Sequence, residues 1–172
     1  RMPAPNIADY DLIDIIASQI MLIKAEATDI AFHTDFGARE SVMITCDDGM
    51  IRQVITNLLQ NAVDAMTEAE SDDKKVLIGL SVTPEIVKVV VIDNGPGLPL
   101  SRRKNLTDPY VTNRKDGSGL GLAIVKKIME DHGGSLNLSS ATDDDIDLDV
   151  AAGDQGAVVT LTFINRSEEA TG

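Results

Sequence analysis

Between Ile51 and Glu68 the apolar and polar residues separate at a helical repeat. At about 100° per residue, Ile51, Val54, Ile55, Leu58, Ala62 and Met66 fall on one side. Gln53, Asn57, Gln60, Asn61, Asp64 and Glu68 gather on the other, which predicts a helix over 48–67. Two further helical repeats run over 9–24 and over 119–131, the latter with Leu120, Ile124 and Ile128 on its apolar stripe. The remaining apolar runs read as strands at 29–34 and 41–46, a hairpin of 75–83 with 86–92, and a closing hairpin of 135–140 with 157–164. A short helix is predicted at 99–104 and a long loop at 105–118, whose lack of an apolar period marks it for function or disorder. Paired strands separated by helices argue against the regular alternation of a parallel sheet, and the fold class is α+β.

The polar stripe of the 48–67 helix has an unusual composition. Asparagine is a mediocre helix former, and a solvated face is normally stocked with Glu, Lys and Gln. Asn57 and Asn61 stand one turn apart. They read either as the wet face of an amphipathic helix or as ligands, since an amide oxygen suits Mg²⁺, which takes the rest of its shell from water and phosphates.

Two other stretches carry candidate chemistry. The β-branched run Ile86 to Ile92 ends in Asp93-Asn94-Gly95-Pro96-Gly97, so a strand delivers a carboxylate into a turn. That Asp is either a turn former or an acceptor for an exocyclic amine such as that of adenine. Gly117-Ser118-Gly119-Leu120-Gly121-Leu122 opens the third helix. Glycines at a helix N-terminus offer free N–H groups and the positive end of the helix dipole to an anion, phosphate above all. No Gly-Lys-Ser/Thr follows, so this is not a P-loop, and the run does not directly follow a strand as a dinucleotide fold requires.

Taken in order, these elements resemble the N, G1, F and G2 boxes of the GHKL ATP-binding superfamily of histidine kinases, type II topoisomerases, Hsp90-type chaperones and mismatch-repair ATPases. The stretch from Gln53 to Ala65 is similar to the N box, Asp93 to Gly97 to G1, Leu106 to Thr112 to the F box with Tyr110 in place of the frequent Phe, and Gly117 to Leu122 to G2. Asn57 stands where ATP-hydrolysing members carry a catalytic Glu, which favours the sensor histidine kinases. The run from Gly121 to Gly134 and the Pro-Tyr-Val-Thr form of the F box resemble the NtrY nitrogen-regulation branch.

The resemblance implies a two-layer α/β sandwich of the Bergerat type, a mixed sheet with three main helices on one face, occupying 9–166. Residues 1–8 would be a linker from a dimerisation and phosphoacceptor domain, 105–118 an ATP lid, and 167–172 a tail. It implies a protein histidine kinase that binds ATP and Mg²⁺ and passes the γ-phosphoryl group to a histidine on another domain. Asn57 and Asn61 would be the catalytic pair, with Asn61 on the metal and Asn57 supporting phosphates or metal, beside Asp64. Asp93 would accept from the adenine amine, and Gly95 and Gly97 would leave room for the base. The phosphate tail would lie on Gly117, Ser118, Gly119, Leu120, Gly121 and Leu122. Arg114 and Lys115 are candidates for the γ-phosphate, or else solvated loop cations, and Tyr110 and Thr112 would shape the lid base. Ala157 departs from the hydroxyl residue that many members carry after the equivalent of Gly156. Implied partners are the phosphoacceptor domain of the same kinase, a homodimer when full length, and a response regulator, on the cytoplasmic side of a membrane-anchored kinase. Two alternatives are a self-contained ATPase and a scaffold that has lost nucleotide binding.

Composition narrows this further. A formal charge of −13 argues against a nucleic-acid or anionic-membrane partner. No run is long and apolar enough for a membrane span. The single cysteine, Cys46, lies in an apolar run and reads as a buried small residue. The Asp-rich stretch within 141–155 does not fit an EF-hand and reads as a solvated acidic loop. His33 lies in a strand-like context, and His132 near a helix C-terminus can satisfy backbone carbonyls. Neither resembles a phosphoacceptor.

Overall fold

The computed structural model describes residues 3–97, 121–140 and 156–166. The predicted helix at 99–104, the lid at 105–118, the acidic loop at 141–155 and the tail at 167–172 lie outside the described residues. The elements run β1 Ala8–Asp11, α1 Leu12–Glu26, β2 Ala31–Asp35, β3 Met43–Cys46, α2 Asp48–Glu68, β4 Lys75–Val82, β5 Ile86–Asp93, α3 Gly121–Asp131, β6 Ser135–Ser140 and β7 Ala157–Ile164.

Among the described residues five strands form one mixed sheet in the order β2-β4-β5-β7-β6, in which only β2 and β4 run parallel. The separate pair β1-β3 is antiparallel, with Ala8 opposite Cys46 and Asp11 opposite Met43. This corrects the start of the first helix, expected at residue 9. Asp11 takes an extended conformation and caps α1, its Oδ1 accepting from the N–H of Ile13 and also from that of Val42 at 3.0 Å each. One carboxylate thus ends the strand, starts the helix and ties both to Val42, the residue before β3.

On β5 Val87, Val89 and Val91 are buried while Lys88 is exposed, and their partners Val82, Leu80 and Ile78 on β4 and Phe163, Leu161 and Val159 on β7 share that face. Against this face pack Ile15, Ile16 and Ile20 of α1, Ile51, Ile55, Leu58 and Leu59 of α2, and Val125, Ile128 and Met129 of α3. The three helices and one side of the five-stranded sheet share this core, the two-layer architecture expected. Each such side chain contributes about 1.5–3 kcal/mol on leaving water. The buried face of α2 is wider than its sequence stripe, taking in Met50, Leu59 and Val63 as well.

Cys46 is fully buried, as expected. Burial, and after it the charges of Asp48, Asp47 and Asp9, pushes its thiol up to about 12. Among the described residues no helix is long and apolar enough to cross a membrane.

Candidate functional site

The alternation of β5 sets the site. Val87, Val89 and Val91 face the helices, and the next residue of that series is Asp93, paired with Val76 at the end of the ladder. A carboxylate is thereby carried to the helix-facing side at the sheet's end, where it is 6% exposed. Its Oδ1 accepts from the N–H of Gly95 at 2.9 Å and from that of Ala157 at 3.4 Å. Among the described residues its Oδ2 accepts no hydrogen bond. Burial pushes the carboxyl above the usual aspartate range, while the two N–H groups pull it back. A buried carboxylate oxygen with no donor among the described residues is an acceptor with capacity to spare.

The turn after Asp93 is held from both sides. Asn94 accepts from the N–H of Lys75 through Oδ1 at 2.8 Å and donates from Nδ2 to the Asp73 carbonyl at 2.7 Å, clamping the turn to the loop between α2 and β4. On the other side a Cβ on Gly156 would overlap the carbonyl oxygen of Asp93. Gly97 takes a φ of +81°, the left-handed region that a side chain disfavours. A Cβ on Gly95 would lie 3.1 Å from the Cγ of Met66 on α2.

Met66 follows Asn61 by five residues, about 7.5 Å along the helix axis. At that second point α3 arrives. A Cβ on Gly121, its first residue, would stand 3.8 Å from the Oδ1 and 3.9 Å from the Nδ2 of Asn61. The turn at Asp93, the stretch of α2 from Asn61 to Met66 and the start of α3 therefore converge. The part-buried amides of Asn57 and Asn61 make no hydrogen bond among the described residues, and Asp64 accepts from Gln60 at 2.8 Å. A wet helix face meets water on all sides; the Asn61 amide instead stands beside the first turn of a second helix.

Of the expected site residues, Asn57, Asn61, Asp64, Asp93, Gly95, Gly97, Gly121 and Leu122 are described, and they gather around α2 and the end of β5. Tyr110, Thr112, Arg114, Lys115, Gly117, Ser118, Gly119 and Leu120 lie outside the described residues. Sequence reasoning missed Asn94 and Gly156 as supports of Asp93. The Asn-Gly dipeptide and the Gly before β7 were visible, but their partners lie 19 to 64 positions away.

Residues 46–166 match the family model of histidine kinase-, DNA gyrase B- and HSP90-like ATPases. The nitrogen regulation protein NtrY of Azorhizobium caulinodans is 35% identical over 144 residues, which are 82% of this chain and 18% of that protein. The chain thus spans about a fifth of the length of that relative. Among solved structures, the nucleotide-free catalytic domain of histidine kinase ThkA superposes with a TM-score of 0.76 at 26% identity, covering 92% of this chain and 97% of that one. A structure of ThkA in complex with the response regulator protein TrrA matches with a TM-score of 0.71 at 23% identity, over 95% of this chain and 43% of that one. The chain belongs to the histidine kinase-, DNA gyrase B- and HSP90-like ATPase family, and within it resembles the catalytic domains of NtrY-type sensor histidine kinases.

Proposed function

We propose that this domain binds Mg²⁺-ATP and donates the γ-phosphoryl group to a histidine on a separate dimerisation domain of the same kinase. The observation that carries the reading is the pairing, along α2, of a buried carboxylate at Asp93 whose Oδ2 accepts no hydrogen bond among the described residues with two amides, Asn57 and Asn61, that make none among them either. Asp93 Oδ2 fits the exocyclic amine of adenine, and the glycines at 95 and 97 keep side chains away from the base. Asn61 is the candidate metal ligand and Asn57 its neighbour toward the phosphates, with Asp64 beside them. A neutral amide oxygen suits a hard cation that stays largely hydrated. When bound, Mg²⁺ would offset the charge of the phosphates against the chain's own −13.

Gly117, Ser118, Gly119, Leu120, Gly121 and Leu122 would receive the phosphate tail at the start of α3, with Arg114 and Lys115 toward the γ-phosphate and Tyr110 and Thr112 at the base of a lid over 105–118. Phosphoryl transfer asks chiefly for position and charge neutralisation, so the domain needs no nucleophile of its own. Neither histidine is placed as an acceptor. His33 is exposed on the edge strand β2, and both ring nitrogens of His132 are engaged by backbone groups. The domain, 9–166 with a linker at 1–8 and a tail at 167–172, would act within a homodimeric, membrane-anchored kinase from the cytoplasmic side, relaying to a response regulator.

The test mixes this chain with Mg²⁺, γ-labelled ATP and the dimerisation helices of the same kinase. Label on a histidine of those helices supports the reading. Steady phosphate release without transfer would point to a self-contained ATPase. A thermal unfolding series adds the binding step. ATP at about a hundredfold over its Kd stabilises by about 2.7 kcal/mol, a rise on the order of 5–10 °C for a domain of this size. No rise with Mg²⁺-ATP would leave only a scaffold.

A further inference from the structure

Besides their shared apolar core, two contacts among the described residues bear on how α3 sits against α2. At one, Gly121 stands against the Asn61 amide with no hydrogen bond joining them among the described residues. At the other, the chain leaving α3 reaches the residue that caps α2. The N–H of Asp47 donates to His132 Nε2 at 3.0 Å, and His132 Nδ1 lies 2.7 Å from the carbonyl oxygen of Ile128. An amide N–H can only donate and a carbonyl can only accept, so these partners select the neutral ring with its hydrogen on Nδ1. Asp47 is itself tightly held. Its Oδ1 accepts from the N–H of Met50 at 2.9 Å and its Oδ2 from that of Asn6 at 2.7 Å. Beyond His132, the Gly134 N–H bonds the Met129 carbonyl at 2.8 Å, and a Cβ on Gly134 would overlap the Thr162 carbonyl on β7.

Among the described residues the other holds on α3 are the apolar packing of Val125, Ile128 and Met129 and the join to β6 through Gly134. Such packing is non-directional and tolerates a small slide along the helix axis, whereas a hydrogen bond between fixed backbones does not. We propose that His132 is a positioning residue for the nucleotide site: by pinning the C-terminal end of α3 to the cap of α2, it sets where Gly121 stands relative to Asn61. The inference rests on the function proposed above for Asn61 and the start of α3. It assigns His132 a task at the far end of α3 from the candidate metal ligand, beyond capping its own helix.

Two substitutions separate the ring's two bonds. In His132→Asn the amide nitrogen sits at the δ position and keeps only the Ile128 carbonyl. In His132→Gln the oxygen reaches the ε position and can still accept from Asp47. The experiment measures the Asn61 side-chain amide signals by NMR in the 172-residue chain without nucleotide, and the Kd for Mg²⁺-ATP. His132→Asn should move the Asn61 signals and weaken binding at least about threefold, the loss expected of one hydrogen bond. His132→Gln should leave the signals in place and the Kd within about twofold, less than one such bond. Equal behaviour of the two variants, whether both native-like or both shifted, overturns the proposal. Should His132→Asn fail to fold, His132→Ala, which loses the Asp47 bond, takes its place in the same comparison with His132→Gln. If the native chain binds no Mg²⁺-ATP, the function proposed above fails and the Asn61 signals alone judge His132.

Discussion

The backbone of Gly156 passes so close to Asp93 that a Cβ there would overlap the Asp93 carbonyl oxygen and lie 3.1 Å from its carbon. One residue on, the Ala157 N–H reaches the Asp93 carboxylate. Gly156 is therefore the spacer that lets β7 hold Asp93 in place. Gly156→Ala must push the two backbones apart, and overpacking of this kind costs about 1–3 kcal/mol. Urea unfolding should show that loss, and a Mg²⁺-ATP titration should show weaker binding in the molecules that remain folded.

Asp93 itself opposes the stability of the free domain. Burial raises its pKa, so between the ordinary aspartate value and its own raised value the folded chain holds a proton that the unfolded chain has released. Stability then falls as the pH rises through that window. Asn at this position cannot ionise and escapes the fall. Asp93→Asn is expected to be more stable than the native chain at neutral pH, to converge with it as the pH drops below the window, and to lose the thermal shift with ATP. Urea melts across pH 3 to 8, with and without nucleotide, measure all three.

Asn61 offers the opposite test, a residue with little to lose in folding. Its amide makes no hydrogen bond among the described residues, and Ala is the better helix former. Asn61→Ala should change the unfolding free energy by no more than about 0.5 kcal/mol. Its Mg²⁺-dependent gain in ATP affinity should drop at least about tenfold, since even outer-shell partners of a metal cost that much. Calorimetric titration of ATP with Mg²⁺ and with chelator reads the difference.

Cys46 should be inert in the folded chain. Its side chain is fully buried and its thiol is pushed up to about 12, so the reactive thiolate is nearly absent at pH 8. Iodoacetamide is expected to leave the native protein unlabelled over hours and to add one carbamidomethyl group once urea unfolds it. Intact mass measurement distinguishes the two states.

Much of this architecture was legible beforehand because local chemistry and tertiary packing agree. The stripe of α2 lies between the Asp47 cap and a loop with two left-handed residues, Glu70 and Asp73, and its predicted bounds of 48–67 differ by one residue from Asp48–Glu68. The β5 run is almost continuously β-branched, the mark of a buried strand. The misreading at residues 9–11 has a physical source. A four-residue strand has almost no periodic signal, and its partner β3 lies more than 30 positions away. The convergence of Asn61, Asp93 and Gly121 could be anticipated from motif order, but the supports around it could not. The clamp of Asn94 on Asp73 and Lys75, the Gly156 contact and the His132 bond to Asp47 join segments that show nothing unusual in isolation.

Asp93 belongs to β5, third of the five strands in the sheet, with a paired neighbour on either flank. Interior strands are the last to open in native-state fluctuations, while edges such as β2 and β6 fray first. The amide protons of β5 should therefore be among the slowest to exchange with heavy water. A carboxylate fastened there should outlast the partial openings of the domain, with Asp93 keeping its place through them.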